Sequence, residues 1–443
     1  MDQSYSFKDK NVLVMGLGRF GGGLGVTRFL LNEGARVILN DRSTADELAA
    51  PLKELGDHPN LTRALGHHDP SVLDNADVLV VNPAVPRPWD NAFINAAIER
   101  GIQITTEIEI AYRRLNPNRI IAITGSAGKS TTSAMTHHAL STLGISSVLG
   151  GNIGGSLLDQ LNTITPDTTI VLELSSAMLY WLWGRSSVDQ PTHPAVSCVT
   201  SYNPNHLDWH ADEAHYLASK KLILTPDRHS VLPESLHAWA NANTRILTGN
   251  DAIEGCAVPG HHNAMNAAFA IACIRGLHPH LSESDLIPAV QTFTGLPHRL
   301  HRSFEHQGVV YFNDSKSTTP QATLLAIKAL ETIAPRDRIH LIAGGYDKGS
   351  DLTPIANLAP ELAGLYCIGT TAQTIVAASS SSAINCHTLD SAMHQIQTRT
   401  QERHLVLLSP GCASWDQFEN YEQRGQRFVE LAKAHAEAMH DAH

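Results

Sequence analysis

Short apolar runs alternate with helical patterns along the whole chain. Each run has the length of a strand, and the stretches between them carry apolar residues at helical spacing. The alternation predicts α/β units with parallel sheets, because parallel strands are covered on both faces and are therefore apolar throughout. The predicted strands fall at residues 12–15, 37–39, 78–81, 120–123, 170–174, 195–199, 309–312, 340–343, 365–368 and 405–408.

The runs form three blocks without an internal repeat. The first block ends near Arg113, before a polar link at residues 114–118, and the second closes around residues 295–299. The third block ends in a helical tail. We therefore predict three domains, at residues 1–113, 114–298 and 299–443.

A glycine-rich loop follows the first predicted strand. The segment Gly16-Leu17-Gly18-Arg19-Phe20-Gly21 has G-x-G-x-x-G spacing, a helical pattern follows it, and Asp41 stands 20 residues beyond the last glycine. Such glycines permit a tight turn, and the next helix N-terminus favours a diphosphate. The loop alone fits an NAD(P)-dependent oxidoreductase, another nucleotide-diphosphate site or a purely structural turn. It predicts a Rossmann-like domain without deciding the ligand.

The second block opens with a different glycine loop. The strand at 120–123 leads into Thr124-Gly125-Ser126-Ala127-Gly128-Lys129-Ser130-Thr131, and a helical pattern follows. In a phosphate loop the backbone N–H groups cradle phosphates, the lysine neutralises the β and γ oxygens, and the serine hydroxyl reaches Mg²⁺. Ile123 occupies the position of the usual first glycine. Two consecutive glycine loops indicate an enzyme that uses ATP on a nucleotide-linked substrate, which a dehydrogenase does not need to do.

Composition excludes several classes of protein. With 42% apolar and 17% charged residues the chain is typical of a globular protein, and its net charge of −11 argues against nucleic acid as the main partner. No run of about 18 apolar residues is present to insert into a membrane. The N-terminus lacks a signal-peptide core, and the six cysteines lack CxxC spacing. We expect reduced thiols and a cytoplasmic location.

Beyond these loops the chain resembles the Mur ligase family over nearly its whole length. The second glycine loop is similar to the shortened ATP loop of that family, which explains Ile123. The other shared motifs, in chain order, are Glu173-Leu174-Ser175-Ser176, Asn205-His206-Leu207-Asp208, Tyr216-Leu217-Ala218-Ser219-Lys220, His262-Asn263-Ala264-Met265-Asn266 and Gly295-Leu296-Pro297-His298-Arg299. The resemblance implies an α/β fold of three domains: N-terminal Rossmann-like, central P-loop ATPase-type with a parallel sheet, and C-terminal Rossmann-like.

Motifs of the third block resemble the branch of the family that adds D-glutamate to UDP-N-acetylmuramoyl-L-alanine. They cover residues 313–318, 344–349 and 409–418, and the last continues through Tyr421 and Arg424-Gly425. The D-N-P-R motif of the relative that adds diaminopimelate or lysine is not in the sequence. The branch implies that ATP phosphorylates the substrate carboxylate and that the amine of the amino acid then attacks the acyl phosphate. It also implies a monomer that acts in peptidoglycan precursor synthesis.

The resemblance assigns roles residue by residue. ATP and two Mg²⁺ ions are the implied cofactors, and the implied catalytic residues are Lys129, Glu173, His206 and Lys220. Implied ATP contacts are Gly125, Ser126, Ala127, Gly128, Lys129, Ser130, Thr131, Asn263, Asn266, Arg299, Asp314 and Lys316. Implied metal ligands are Ser130, Glu173, His206 and, once carbamylated, Lys220. The UDP-linked substrate is assigned to Gly18, Arg19, Phe20, Asp41, Arg42 and Asn152, and D-glutamate to Thr318, Lys348, Ser414 and Tyr421.

Several positions depart from the family pattern without removing a proposed charge or ligand. They include Ser126-Ala127 in the ATP loop, Ala177-Met178, Ser201, Trp209 and Thr319. The departures leave open a related Mur-type ligase with a different amino acid. Three competing functions are a folylpolyglutamate-synthase-like ligase, whose typical chain lacks the first block, a nicotinamide-dependent oxidoreductase and a non-catalytic nucleotide-binding module. The oxidoreductase leaves Lys129, Glu173 and Asp314-Ser315-Lys316 unexplained. The intact set of Lys129, Glu173, His206 and Lys220 argues against the non-catalytic module.

Overall fold

The computed structural model describes residues 6–17, 22–185, 190–346, 349–380 and 383–440. Their strands form three sheets. By backbone contacts the chain divides into two compact units, and each is described by itself. The first unit comprises residues 1–251 and 268–289, and the second comprises residues 252–267 and 290–443.

The first unit begins with a five-stranded parallel sheet of order β3-β2-β1-β4-β5. Its strands are β1 (Asn11–Met15), β2 (Arg36–Asp41), β3 (Leu61–Leu65), β4 (Val78–Val81) and β5 (Gln103–Thr105). Its helices are α1 (Gly22–Asn32), α2 (Ala49–Leu55), α3 (Ala92–Glu99) and α4 (Glu107–Tyr112). The order reverses beside β1, so the glycine loop after β1 stands at the switch point where open α/β sheets bind ligands.

A six-stranded sheet follows in the same unit, with order β11-β10-β9-β6-β8-β7 and all pairs parallel. Its strands are β6 (Ile120–Thr124), β7 (Ser147–Gly151), β8 (Thr169–Glu173), β9 (Val196–Val199), β10 (His229–Pro233) and β11 (Thr244–Leu247). Its helices are α5 (Lys129–Thr142), α6 (Ser176–Leu179), α7 (Leu207–His210) and α8 (Glu213–Lys221). Two further helices, α9 (His261–Leu277) and α10 (Glu283–Gln291), contribute residues to both units.

The second unit contains a six-stranded sheet of order β12-β13-β17-β14-β15-β16. Its strands are β12 (His301–His306), β13 (Val309–Asn313), β14 (Ile339–Gly344), β15 (Gly364–Ile368), β16 (Ala383–His387) and β17 (Leu405–Leu408). Its helices are α11 (Pro320–Leu330), α12 (Thr353–Ala356), α13 (Ala372–Ala378), α14 (Leu389–Gln397) and α15 (Tyr421–His440). The edge strand β12 pairs antiparallel with β13, and the other pairs are parallel.

The predicted α/β fold with three parallel-sheet blocks is confirmed. Strands β4 and β17 coincide with the predicted runs, and the other predicted runs match their strands to within one residue or so at most ends. Buried strands explain the agreement, because all residues of β4, β6, β8 and β17 are buried. The six cysteines are free thiols, as predicted. Among the described residues no helix is long and apolar enough to cross a membrane.

Candidate active site

The phosphate loop joins β6 to α5 through a backbone that only glycine tolerates at two points. Gly125 has φ 149°, and a Cβ there would lie 2.1 Å from Thr200 Oγ1. Gly128 has φ 84° and stands directly before Lys129, the first residue of α5. The loop therefore ends on a helix N-terminus, where backbone N–H groups are available to an anion.

Lys129 folds back over this loop. Its Nζ donates hydrogen bonds to the carbonyl oxygens of Gly125 and Ser126, at 2.8 and 3.2 Å. Ser130 and Thr131, the next two predicted ATP residues, are half-buried in the first turn of α5. The loop thus concentrates an ammonium group, hydroxyl groups and a helix N-terminus, which together suit a polyphosphate.

The two departures in the loop are tied to the segment after β9. Ser126 Oγ donates to the Asn203 carbonyl at 2.7 Å, accepts from the Asn203 N–H at 2.8 Å, and lies 2.8 Å from the Tyr216 hydroxyl. The Ala127 N–H donates to Ser201 Oγ at 2.9 Å. Ser201, itself a departure, therefore supports the backbone at Ala127.

Glu173 ends β8 beside the phosphate loop, since β6 and β8 pair with Ile123 opposite Glu173. The side chain is 2% exposed, and its Oε1 accepts a hydrogen bond from Asn152 Nδ2 at 2.9 Å. Its Oε2 is buried and has no hydrogen-bond partner. A buried carboxylate oxygen without a partner is costly, and Mg²⁺ prefers oxygen ligands, so Glu173 fits the predicted metal role.

Lys220 is buried against the same loop. Its Nζ donates to Thr124 Oγ1 and to the Gly125 carbonyl, both at 2.9 Å, and the residue is 1% exposed. Burial holds the pKa of Lys220 well below its ordinary value, the Lys129 charge lowers it further, and Glu173 opposes both. The neighbouring Lys221 is exposed instead. Of the two adjacent lysines, the structure places the predicted one at the loop.

His206 precedes α7 in a left-handed conformation with φ 53°. Burial lowers the pKa of its imidazole, and the charges of Lys129 and Lys220 lower it further. The charge of Asp208 raises the pKa and partly offsets these effects. The imidazole of His206 is therefore within the electrostatic influence of Lys129 and Lys220. Within the described ranges no three His, Cys, Asp or Glu side chains gather as a ready-made metal site.

A cleft of about 660 Å³ opens between the first sheet and the central sheet. One wall carries the start of the first glycine loop and the segment Asn82-Pro83-Ala84 after β4. The opposite wall is formed by residues 151–156, by residues 175–178, and by His206, Asp208, Trp209 and His210. Asn152, a predicted contact of the UDP-linked substrate, therefore lines the same cleft as the start of the first glycine loop.

The other predicted UDP-substrate residues are placed differently. Asp41 Oδ2 accepts from the Leu17 N–H at 2.8 Å and its Oδ1 accepts from the Ser43 N–H at 2.8 Å, so this carboxylate fixes the start of the glycine loop. Arg42 is exposed beside it. The predicted contacts Gly18, Arg19 and Phe20 lie outside the described residues, as does Lys348 among the amino-acid residues.

In the second unit two predicted ATP residues lie on α9. Asn263 Nδ2 donates to the Pro259 carbonyl at 2.8 Å, and Asn266 Nδ2 donates to Asn263 Oδ1 at 3.3 Å. Both asparagines are buried, whereas Arg299, between α10 and β12, is exposed. The pair is therefore held by its own hydrogen bonds at the start of a helix.

Asp314 stands at the end of β13, buried to 6% exposure. It accepts hydrogen bonds from the Leu300 N–H at 3.0 Å and from Ser409 Oγ at 2.7 Å. Burial raises its pKa to about 6, against these hydrogen bonds. The predicted ATP residue Lys316 places its Nζ 5.1 Å from the ring centre of Tyr421, a predicted D-glutamate contact.

Arg424 was not predicted as a site residue, although it belongs to the same motif as Tyr421. Its guanidinium is 1% exposed and donates to Ser315 Oγ and to the carbonyls of Ser315, Cys412 and Ala413, at 2.8–3.1 Å. It thereby joins the loop after β13 to the loop after β17, which carries the buried Ser414. Thr318, the fourth predicted amino-acid residue, is half-buried in the first of these loops.

Three protein-family models match successive parts of the chain. The model described as Mur ligase MurD-like, N-terminal domain, matches residues 10–106, the Mur ligase middle domain matches 123–245, and the Mur ligase, glutamate ligase domain, matches 298–412. The UDP-N-acetylmuramoylalanine–D-glutamate ligase of Pelotomaculum thermopropionicum is 31% identical over 464 aligned residues, which cover 96% of this chain and 98% of that protein. The ligase of the same name from Caldicellulosiruptor bescii is 33% identical over 471, covering 96% and 97%.

Solved structures share the fold at lower identity. The UDP-N-acetylmuramate–alanine ligase of Thermotoga maritima has a TM-score of 0.57 at 18% identity and covers 96% of this chain and 99% of its own. The MurF ligase of the same organism, solved in complex with ADP, has a TM-score of 0.55 at 15% identity, covering 99% and 98%. The full-length relatives above 30% identity and the three matched domains lead to one conclusion: the chain belongs to the Mur ligase family.

Proposed function

We propose that this chain is an ATP-dependent ligase that forms an amide bond between UDP-N-acetylmuramoyl-L-alanine and D-glutamate, with release of ADP and phosphate. The observation that carries the proposal is the similarity to D-glutamate ligases over nearly the full length of both chains. The MurD-like N-terminal match supports the same branch of the family. The product is a peptidoglycan precursor, and the proposed enzyme is a cytoplasmic monomer without nucleic-acid or membrane partners.

Each predicted domain receives one substrate in this proposal. Residues 1–113 bind the UDP-linked substrate, and the cleft that the first glycine loop helps to line supports this role. Residues 114–298 bind ATP, supported by the geometry of the phosphate loop. Residues 299–443 bind D-glutamate through Thr318, Lys348, Ser414 and Tyr421. An ammonium and hydroxyl groups suit a dicarboxylate amino acid.

Two Mg²⁺ ions complete the proposed site. Ser130, Glu173 and His206 supply ligands, and the unpartnered Oε2 of Glu173 is the observation that supports an ion beside the phosphate loop. When bound, Mg²⁺ neutralises the phosphate oxygens and favours nucleophilic attack on the γ-phosphorus. Lys220 would supply a further oxygen after its neutral amine adds to CO₂: an N–C bond forms, one C–O π bond of CO₂ breaks, a proton leaves the nitrogen, and an anionic carbamate results. Its lowered pKa supports this step, because only a neutral amine adds to CO₂.

The proposed reaction has two steps. A carboxylate oxygen of the UDP-linked substrate attacks the γ-phosphorus of ATP, and the bond to ADP breaks. The amine of D-glutamate then attacks the acyl carbon, a proton leaves the nitrogen, and phosphate departs. Lys129 and the loop N–H groups neutralise charge on the transferred phosphoryl group, and Asn152 and His206 hold the substrate at the cleft wall.

The test is phosphate release from ATP and Mg²⁺ with UDP-N-acetylmuramoyl-L-alanine, across a panel of D- and L-amino acids. We expect release that depends on both the UDP-linked substrate and D-glutamate. Glu173→Gln, which keeps the size of the side chain and removes its charge, is the matched control and should be inactive. Release with another amino acid would retain the ligase and change its specificity, and no release from folded protein would refute the proposal.

A further inference from the structure

Three side chains form a hydrogen-bonded relay that runs away from the cleft. Ser176 Oγ lies 2.8 Å from His210 Nε2, and His210 Nδ1 lies 2.9 Å from His215 Nδ1. Ser176 and His210 line the cleft and are 4% and 0% exposed, whereas His215 is half-buried on α8. The relay therefore connects the cleft wall to a partly exposed imidazole. The proposed reaction assigns no role to these three residues.

Aromatic packing fixes the outer end of the relay. The His215 ring lies 4.4 Å from the Trp89 ring and 5.4 Å from the Tyr180 ring, measured between centroids. The Trp209 ring packs 4.4 Å from His210, and Trp209 Nε1 donates to the Pro83 carbonyl at 3.0 Å. Neither imidazole is free to turn without breaking these contacts, so the relay is organised before a substrate enters.

The two facing nitrogens, His210 Nδ1 and His215 Nδ1, share one hydrogen, because a hydrogen bond between them has one donor and one acceptor. Burial lowers the pKa of His210 to about 4, and His215, Lys220 and His206 lower it further. The charge of Asp208 raises it and partly offsets these effects. Burial also lowers the pKa of His215, against Asp212. A neutral imidazole has one N–H and one acceptor nitrogen, so each hydrogen bond of the relay has one donor and one acceptor.

The relay consequently has two hydrogen-bond directions. In the inward direction Ser176 donates to His210, His210 donates to His215, and the serine oxygen offers only lone pairs to the cleft. In the outward direction His215 donates to His210, His210 donates to Ser176, and the serine O–H is available to an acceptor in the cleft. A carboxylate accepts hydrogen bonds and donates none, so it selects the outward direction.

We propose that Ser176 donates a hydrogen bond to the carboxylate of the UDP-linked substrate, and that His210 and His215 position its hydroxyl for this bond. The inference rests on the proposed function, since it assigns the substrate carboxylate to this wall of the cleft. Asn152 and His206, which line the same wall, support that placement. Ser176 is thus a further substrate-binding residue, and His210 and His215 are positioning residues.

The test measures the dissociation constant of UDP-N-acetylmuramoyl-L-alanine, and of its carboxamide analogue, by titration calorimetry without ATP. Ser176→Ala should weaken binding of the carboxylate ligand roughly tenfold, the scale of a hydrogen bond to a charged group. It should leave carboxamide binding within about twofold, because an amide is itself able to donate and gains less from the outward direction. Ser176→Thr is the matched control, because it retains the hydroxyl and should recover most of the affinity.

His210→Leu tests the positioning role. A hydroxyl released from His210 samples about three staggered orientations, so carboxylate binding should weaken roughly threefold. In a Ser176→Ala background the same change should have no further effect, since the hydroxyl is gone. Circular dichroism melts establish that each variant is folded.

The possible results distinguish failure of the relay from failure of the proposed function. Equal losses for both ligands in Ser176→Ala, or a His210→Leu effect that persists without the hydroxyl, would overturn the relay while leaving the ligase intact. Failure of the wild-type protein to bind the UDP-linked substrate would overturn the proposed function and the relay together.

Discussion

Glu107 makes the stability of the first unit depend on pH. It is the first residue of α4, lines the cleft and accepts a hydrogen bond from Ser156 Oγ at 2.8 Å. Burial raises the pKa of Glu107 from 4.5 to about 7. Hydrogen bonds from Ser156 and Leu157 lower the pKa and partly offset this rise, whereas the charge of Asp159 adds to it. The folded chain therefore keeps a proton that the unfolded chain releases at lower pH.

The size of the effect follows from the two pKa values. A rise from 4.5 to about 7 corresponds to about 3 kcal/mol of unfolding free energy. This contribution is fully present below pH 4.5 and is lost as the pH rises to about 7. Glu107→Gln is neutral at every pH and keeps an oxygen for Ser156. We expect it to resemble the wild-type protein at about pH 4 and to exceed its stability by up to about 3 kcal/mol above about pH 8.

Thermal unfolding of both proteins across this pH range measures the difference. As the pH rises, the melting temperature of Glu107→Gln should exceed that of the wild-type protein by a gap that grows to several degrees. For a unit of this size, about 1 kcal/mol corresponds to about 2 °C. Asp159→Asn is the control, because removing this charge makes ionised Glu107 less unfavourable and should reduce the gap. A gap that stays constant with pH would refute the assignment of a proton to Glu107.

Three further predictions concern the phosphate loop. Lys129→Ala should abolish phosphate release and leave binding of the UDP-linked substrate within about twofold, because the cleft is lined by other residues; joint loss of both in calorimetry would contradict separate sites. Lys220→Arg keeps a cation but forms no carbamate, so phosphate release should fall by roughly 100-fold or more. ¹³C NMR under ¹³CO₂ should show a carbamate only in the wild-type protein. Full activity of the variant would exclude a required carbamate. Gly125→Ala should destabilise the chain by about 2 kcal/mol or more, because its Cβ would meet Thr200; an unchanged melting temperature would show that the loop relaxes.

The sequence predicted the buried strands well because their environment leaves a strong pattern. Strands β4 and β17 are apolar at every position and coincide with the predicted runs. The edge strand β12 was not predicted, since its residues His301–His306 are mostly polar and half-buried. An edge strand is solvated along one side and needs no apolar run, so neither hydropathy nor period marks it.

The candidate site was predicted where chemistry is concentrated in short motifs. The structure gathers Lys129, Glu173 and Lys220 at the phosphate loop, although their proposed roles stay predictions. The relay from Ser176 to His215 was not predicted, because its three residues come from different segments and no spacing links them. The structural role of Arg424 was not predicted for another reason. In a sequence, a buried arginine that donates to carbonyls cannot be distinguished from an exposed one.

Glycines form part of the cleft wall, and this limits how the wall is able to change. A Cβ at Gly23 would lie 2.3 Å from the Gly16 carbonyl oxygen, and one at Gly151 would lie 2.3 Å from the Glu173 carbonyl oxygen. An inhibitor that rests on these glycines would press against backbone, which no single substitution there reshapes without displacing the neighbouring chain. Resistance to such a compound would have to arise where side chains are replaceable, as at Ala177 and Met178, which line the same cleft.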